Sequence, residues 1–219
     1  MKKDRISCII NQIRTKSVVV DVGSDHAQLA IKLLKANKAT HVYNVELNKQ
    51  PYLTTITNLQ KNGLLAKTTN FLANGLQITE VMKPVDYCVI AGMGSKNIVD
   101  ILQCRNKEIK IKTFIFVPNN LPNILRKYLE QNGYKISYEE IVKDGQYYYP
   151  LMVVSQDQGL VIKDKYEIYF GPYNLKHPSL LFRQMYQQRF AYIQANQLHL
   201  RNHYIAQEFN LLKEHKIWK

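Results

Sequence analysis

The sequence predicts an α/β protein: a parallel sheet wound with helices, closed by an antiparallel hairpin and followed by a helical tail. Three observations carry this. Short β-rich runs alternate five times with helical runs before residue 135, and such alternation implies a parallel sheet covered on both faces. Asp144-Gly145 then separates two further β-rich runs, a strong hairpin signal. After Gln156 no strand pattern returns, and apolar residues recur at helical spacing to the end of the chain.

The elements follow in order. Ile6, Ile9, Ile10 and Ile13 share one face of an opening amphipathic helix over Asp4 to Thr15. Val18-Val19-Val20 does not alternate in polarity, as befits a strand buried on both faces. It runs through Asp21-Val22-Gly23-Ser24-Asp25-His26-Ala27 into a helix over Gln28 to Leu34. His41 to Glu46 reads as the second strand. Pro51 and Gly63 bracket a helix over Tyr52 to Asn62. Thr68 to Leu72 and Val85 to Ala91 are the third and fourth strands. Gly92-Met93-Gly94-Ser95 opens a helix to about Leu102. Thr113 to Val117 is a strand stopped by Pro118, and a helix over Leu121 to Gln131 ends at Gly133. The hairpin takes Lys135 to Val142 and Gln146 to Val154. Residues 179–218 read as two helices bent near Asn196. Phe190, Ile193, Gln197, Leu200 and Tyr204 form one stripe; Leu198, Ile205 and Leu212, with Phe209 between, form another. This pattern suits a helical hairpin or short coiled coil. The expected domains are 1–158, a ligand-binding α/β unit, and 159–219, a helical unit.

Composition narrows the function. The 219 residues are 46% hydrophobic, enough for a sizeable core, and carry 30 Lys and Arg against 17 Asp and Glu, a net charge of +13. Such an excess points to a polyanion, nucleic acid before an anionic membrane. Cys8, Cys88 and Cys104 are odd in number and lack metal-ligand spacing, which fits a reducing cytoplasm. The apolar run near the N-terminus is too short for a signal peptide. No apolar stretch approaches the ~18 residues of a membrane span.

The strand-turn-helix around Gly23 is the natural ligand site of such a sheet. One glycine replaces the Gly-x-Gly-x-x-Gly of dinucleotide folds, which argues against an NAD-type oxidoreductase. Asp21 and Asp25 would repel a phosphate. A ligand with hydroxyls and positive charge fits better, and S-adenosylmethionine has a ribose, an amine and a sulfonium. Glu46, with Leu47 beside it, ends the second strand, where a carboxylate receives both ribose hydroxyls. Asn74-Gly75 follows the third strand, where the adenine amino group meets an acceptor in enzymes of this kind. Ala91-Gly92-Met93 closes the fourth, where small residues let a target base approach closely. Five strands, helices and a terminal hairpin in this order build the class I S-adenosylmethionine-dependent methyltransferase fold, a Rossmann-like domain.

Asp21-Val22-Gly23-Ser24-Asp25-His26-Ala27, Glu46, Asn74-Gly75-Leu76, Ala91-Gly92-Met93-Gly94, Pro118-Asn119, Asp144-Gly145 and Gly171-Pro172 occur in sequence order. Together they resemble the bacterial tRNA (adenine(22)-N1)-methyltransferase family, TrmK, over nearly the whole chain. The resemblance implies methylation of N1 of an adenine in the D-arm region of tRNA, with a coiled-coil-like C-terminal domain. Two departures stand out. Ala73-Asn74-Gly75 replaces the family's Gly-Asp-Gly, so retuned cofactor binding is expected. Ser95 replaces a glycine after Gly-Met-Gly.

On this reading Gly23 admits the cofactor to the backbone, and Ser24, Asp25 and His26 line its methionine end. Glu46 holds the ribose and Asn74 the adenine. Asp25 is the candidate catalytic carboxylate, placed to bond the amino group of the target base. Candidate tRNA contacts are Lys2, Lys3 and Arg5, the cluster from Arg105 to Lys112, and Arg183, Arg189 and Arg201. Tyr147 to Tyr149 offer either a stacking face or, as alternating strand tyrosines more often do, packing. His199 and His203, one turn apart without a third ligand, are expected on the surface, and no metal is expected. The chain is expected to act as a cytoplasmic monomer on tRNA, without a membrane. The alternative is a non-catalytic RNA-binding protein that retains the fold.

Overall fold

The fold is described from a computed structural model, which covers residues 4–79, 83–200 and 202–215. Lys2, Lys3, Arg201 and Trp218 lie outside the described residues.

Among the described residues seven strands form one sheet: β1 (Ser17–Val22), β2 (Ala39–Glu46), β3 (Thr68–Leu72), β4 (Val85–Ala91), β5 (Ile111–Val117), β6 (Lys135–Asp144) and β7 (Tyr147–Ser155), in the order β3-β2-β1-β4-β5-β7-β6. The first five pair in parallel. β7 enters antiparallel between β5 and β6. Asp144 pairs with Tyr147, so the hairpin turn is Gly145-Gln146, with Gly145 at φ 62°.

Two apolar layers sandwich the sheet. Val20, Val22, Ile90 and Phe116 face α4 (Ser95–Gln103) and α5 (Pro122–Gln131). Val19, Val42, Val89 and Ile115 face α1 (Arg5–Gln12), α2 (Gln28–Lys35) and α3 (Lys49–Lys61). The valine run of β1 alternates between these layers, which is why no polar position interrupts it. Asp4 caps α1 by accepting from the Ser7 amide at 2.6 Å. α3 begins at Lys49, so Pro51 lies inside its first turn, where a missing N–H costs nothing.

The tail departs most from expectation. Two short helices precede the long pair: α6 (Lys165–Phe170), capped by Asp164, and α7 (Pro172–Lys176). α8 (Leu180–Ala195) and α9 (His203–His215) follow. The stripe through Gln197, Leu200 and Tyr204 fails, with Leu200 73% and Tyr204 79% exposed. α8 stops at Ala195, and helical spacing does not carry across the break. The other stripe packs: Leu212 is buried beside Phe170, Phe182 and Ile193, with Leu198, Ile205 and Phe209 against them.

A buried ion pair ties this tail to the sheet. Arg126 of α5 and Glu139 of β6 meet at 2.8 Å, with side chains 1% and 0% exposed. Arg126 also donates to the Tyr169 carbonyl at 2.9 Å. The second oxygen of Glu139 accepts from the Tyr173 and Asn174 amides. So many partners are what make two buried charges tolerable.

Candidate functional site

The site lies at the C-terminal ends of β1, β2 and β4. β2 and β3 extend the sheet to one side of β1, while β4 and β5 extend it to the other. That reversal opens a crevice beyond the strand ends. The Gly23 amide donates to the Val45 carbonyl at 2.9 Å, continuing the ladder into the turn. Gly23 has φ 74°, and a Cβ there would meet the Met93 methyl at 2.5 Å. The left-handed backbone favours glycine here, while the crowding comes only from the movable end of the Met93 side chain.

Asp25, His26 and Ala27 follow with φ 28°, 63° and 59°. Left-handed backbone costs ~1–2 kcal/mol per non-glycine residue. Hydrogen bonds hold the turn in this shape. Glu46 Oε1 accepts from the Asp25 amide at 2.8 Å and the Ser24 hydroxyl at 2.9 Å. The Ala27 amide donates to the Ser24 carbonyl, and Asn58 donates to the His26 carbonyl. Ser24 also meets Thr55 at 3.2 Å inside the fold.

Two clefts share Gly23. One, about 450 Å³, is lined by Glu46, Leu47, Asn74, Gly75, Met93 and the α4 face Asn97, Asp100 and Ile101, among others. The other, about 320 Å³, is lined by Asp21, Ser24, Asp25, Ala91 and Gly92, and is rimmed by Arg5, Lys32 and Asp144. Both volumes suit small-molecule sites, about 300–1,000 Å³. The Met93 side chain lies over Gly23 at the junction.

The electrostatics differ between the two. Asp21 is 5% exposed, and its Oδ2 has no hydrogen-bond partner. Burial, then the neighbouring Glu46 and Asp25 carboxylates, pushes its pKa up to about 7. A buried acceptor at a cleft wall without a donor suits a cationic or donating ligand group. Glu46 is 8% exposed. Its Oε2 makes neither of the bonds that hold the turn. A nucleoside with an ammonium tail matches this donor-and-acceptor set, with Glu46 for a diol and Asp21 for the cation.

Of the residues expected at a cofactor site, Asp21, Gly23, Ser24, Asp25, Glu46, Leu47, Asn74, Gly75, Ala91, Gly92 and Met93 line one or both clefts. His26 lines neither. Its ring approaches Asp25 at 3.3 Å, with both side chains largely exposed. Asn119 was missed as a clamp: its side-chain amide donates to the Gly92 carbonyl at 2.6 Å, and its backbone amide to Met93 at 2.8 Å. The polar face of α4 was missed too. Asn97 and Asp100 recur three apart just after Gly-Met-Gly, a signal legible in the sequence.

The basic candidates are dispersed. Arg5 pairs with Asp144 at 3.0 Å and sits 4.3 Å above the Tyr149 ring. Arg105 lies 5.5 Å from the Phe114 ring. Arg183 is half-buried on α8. Arg189 grips Glu208 through two bonds of 2.9 and 2.7 Å, bracing α8 on α9. His199 is half-buried rather than fully on the surface. Its ring stacks on Phe209 at 4.3 Å because the break after α8 folds it inward. His203 is exposed and meets Gln207. Among the described residues no group of three or more His, Cys, Asp or Glu could hold a metal ion. No described helix is long and apolar enough to cross a membrane.

Comparison with known proteins agrees with the geometry. A Bacillus subtilis tRNA (adenine(22)-N(1))-methyltransferase is 24% identical over 196 residues, covering 87% of this chain and 82% of the relative. Streptococcus pneumoniae Sp1610, solved with S-adenosyl-L-methionine, superposes over 100% of both chains at 26% identity and TM-score 0.87. M. capricolum TrmK, solved with S-adenosyl-homocysteine, superposes over 99% of both at 22% identity and TM-score 0.87. The model of the TrmK family matches residues 19–217, from the first strand through both tail helices, and the chain belongs to that family, the tRNA (adenine(22)-N(1))-methyltransferases.

Proposed function

We propose that this chain transfers a methyl group from S-adenosylmethionine to N1 of adenine 22 in tRNA at the paired clefts around Gly23. One observation carries the reading. Around Gly23, across two adjoining clefts, lie a carboxylate with one oxygen outside the turn bonds (Glu46), a glycine with left-handed backbone (Gly23) and a buried carboxyl whose Oδ2 has no partner (Asp21).

When bound, S-adenosylmethionine supplies an electrophilic methyl group. Glu46 Oε2 would accept from the ribose hydroxyls, because Oε1 already holds the turn. The Asn74 amide oxygen would accept from the adenine amino group, with Leu47 and Ile101 lining the same cleft. Asp21 would balance the positive charge of the methionine end. Ser24 acts through Glu46, since its hydroxyl is spent on that carboxylate.

N1 of adenine lies on the Watson–Crick edge, so the target must leave its stack. Its lone pair would form the bond to the methyl carbon as the carbon–sulfur bond breaks and its electron pair returns to sulfur, leaving S-adenosylhomocysteine, and the nucleophile needs no proton removed. The work left to the protein is alignment and charge balance. Asp25 stands at the mouth of the second cleft, where it accepts a hydrogen bond from the target's amino group as the ring turns cationic. Gly92 and Ala91 leave room for the base, and the Asn119 clamp fixes that loop.

In this reading residues 1–158 hold the cofactor and 159–219 face the tRNA. Arg5, Arg105, Arg183, Arg189 and Arg201 are the candidate phosphate contacts, and Arg5 and Arg189 would have to exchange Asp144 and Glu208 for phosphate. The protein works as a monomer in the cytoplasm, where its substrate is found. The test is incubation with S-adenosylmethionine and unmodified tRNA, followed by nucleoside mass spectrometry and reverse transcription. The expected product is 1-methyladenosine at position 22. A tRNA that binds but gains no methyl group would instead mark a non-catalytic RNA-binding protein.

A further inference from the structure

A third cavity, about 390 Å³, lies between the sheet and the tail helices. Its walls carry Asn119, Asn123, Tyr148, Tyr169, Arg189 and Glu208. One hydrogen bond links its lining to that of the methyl-transfer cleft. Asn119 lines this cavity, and its amide reaches the Gly92 carbonyl, which lines the other.

The chemistry of the lining is selective. Arg189 is neutralised by its two bonds to Glu208, so the cavity is a poor site for a free phosphate. Amide side chains offer both donors and acceptors, which match the edge of an unpaired base. Tyr148 and Tyr169 are half-buried, and exposed ring faces stack on bases of any identity. Lys143 lies 5.3 Å from the Tyr148 ring, outside the cavity lining, where a backbone phosphate would pass.

We propose that this cavity receives a second unstacked nucleotide of the tRNA, the immediate neighbour of the methylated adenine. The inference rests on the reading of the Gly23 clefts as the methyl-transfer site. Lifting one base from a stem removes a stacking partner from its neighbour. A pocket linked to the cleft in this way would hold that neighbour and keep the strand open. Tyr148 supplies the stacking face, and Asn123 the edge contacts.

The experiment places 5-iodouridine at each neighbour of adenine 22 in turn and irradiates the complex, since this base crosslinks to rings it stacks upon. A crosslink at Tyr148 or Tyr169 from one neighbour is the expected result. In parallel, Tyr148→Ala should raise the KM for tRNA roughly tenfold with affinity for S-adenosylhomocysteine unchanged. Tyr148→Phe should restore the KM, and Asn123→Ala should raise it less. Crosslinks only outside the cavity, or wild-type KM values in both alanine variants, would overturn the proposal while methylation of adenine 22 by the wild-type protein still stood. Absence of methyl transfer by the wild type would instead sink the underlying reading.

Discussion

Replacing Asp21 by Asn tests the electrostatic design of the cleft. The buried carboxyl titrates near 7 in the folded chain, against an ordinary 3.8. Each tenfold shift is worth ~1.4 kcal/mol, so ionising Asp21 in the empty cleft costs the fold about 4 kcal/mol. The sign follows from proton counting. Between pH 4 and 7 the folded protein keeps a proton that the unfolded chain has lost, so stability falls as pH rises through that window and levels off above it. Asn carries no such proton. Its own pH-independent effect cancels when two pH values are compared. The gap in Tm between Asp21→Asn and wild type should therefore move in favour of the variant from pH 4 to pH 8. At roughly 2–4 °C per kcal/mol for a chain of this size, the movement is on the order of 10 °C. Binding should run the other way. The ammonium group of S-adenosylhomocysteine, set beside Asp21 in this reading, draws the proton off the carboxyl, so wild-type affinity rises by up to about tenfold per pH unit below 7. The variant should bind more weakly at pH 8 and show a flatter profile. Differential scanning fluorimetry and isothermal titration calorimetry across pH 5 to 8.5 read both effects. A Tm gap that does not change with pH, or parallel binding profiles, would refute the reasoning.

Other outcomes follow from the same geometry. Glu46→Gln removes a charged acceptor worth about 1.5–3 kcal/mol; calorimetry should show affinity for S-adenosylhomocysteine falling at least tenfold. His26→Gly relieves a left-handed backbone of ~1 kcal/mol. It should raise Tm by a few degrees with ligand affinity unchanged; a large loss of affinity would return His26 to the cofactor site. Arg126→Met leaves Glu139 charged and buried, and should cost about 3–5 kcal/mol in a denaturant melt. The double variant Arg126→Met with Glu139→Leu should recover most of that loss.

The central strand was legible because burial on both faces leaves an unbroken apolar run at Val18–Val20. The position of Glu46 was legible because a strand end plus an acid is a local pattern. Sequence could not show that Ser24 and the Asp25 amide spend one oxygen of that carboxylate, since the bonding partners lie more than twenty residues apart. Nor did it reveal three successive left-handed residues after Ser24. Asp and His tolerate that conformation better than most residues, but a run of three that includes Ala27 is not a local sequence signal, and the Glu46, Ser24 and Asn58 hydrogen bonds hold it. In the tail, helical spacing misled at Leu200 and Tyr204 because the helix had already ended. Arg189 read as a surface cation, but its partner Glu208 sits on another helix. Charge counts cannot foresee such pairings.

The most direct measurement is a crystal structure of this chain with S-adenosylhomocysteine. The expected arrangement has the ribose on Glu46, the adenine beside Asn74, the sulfur over Gly23 with the Met93 side chain displaced, and the amino group near Asp21. A ligand lying in the opposite direction, or bound away from Gly23, would contradict it.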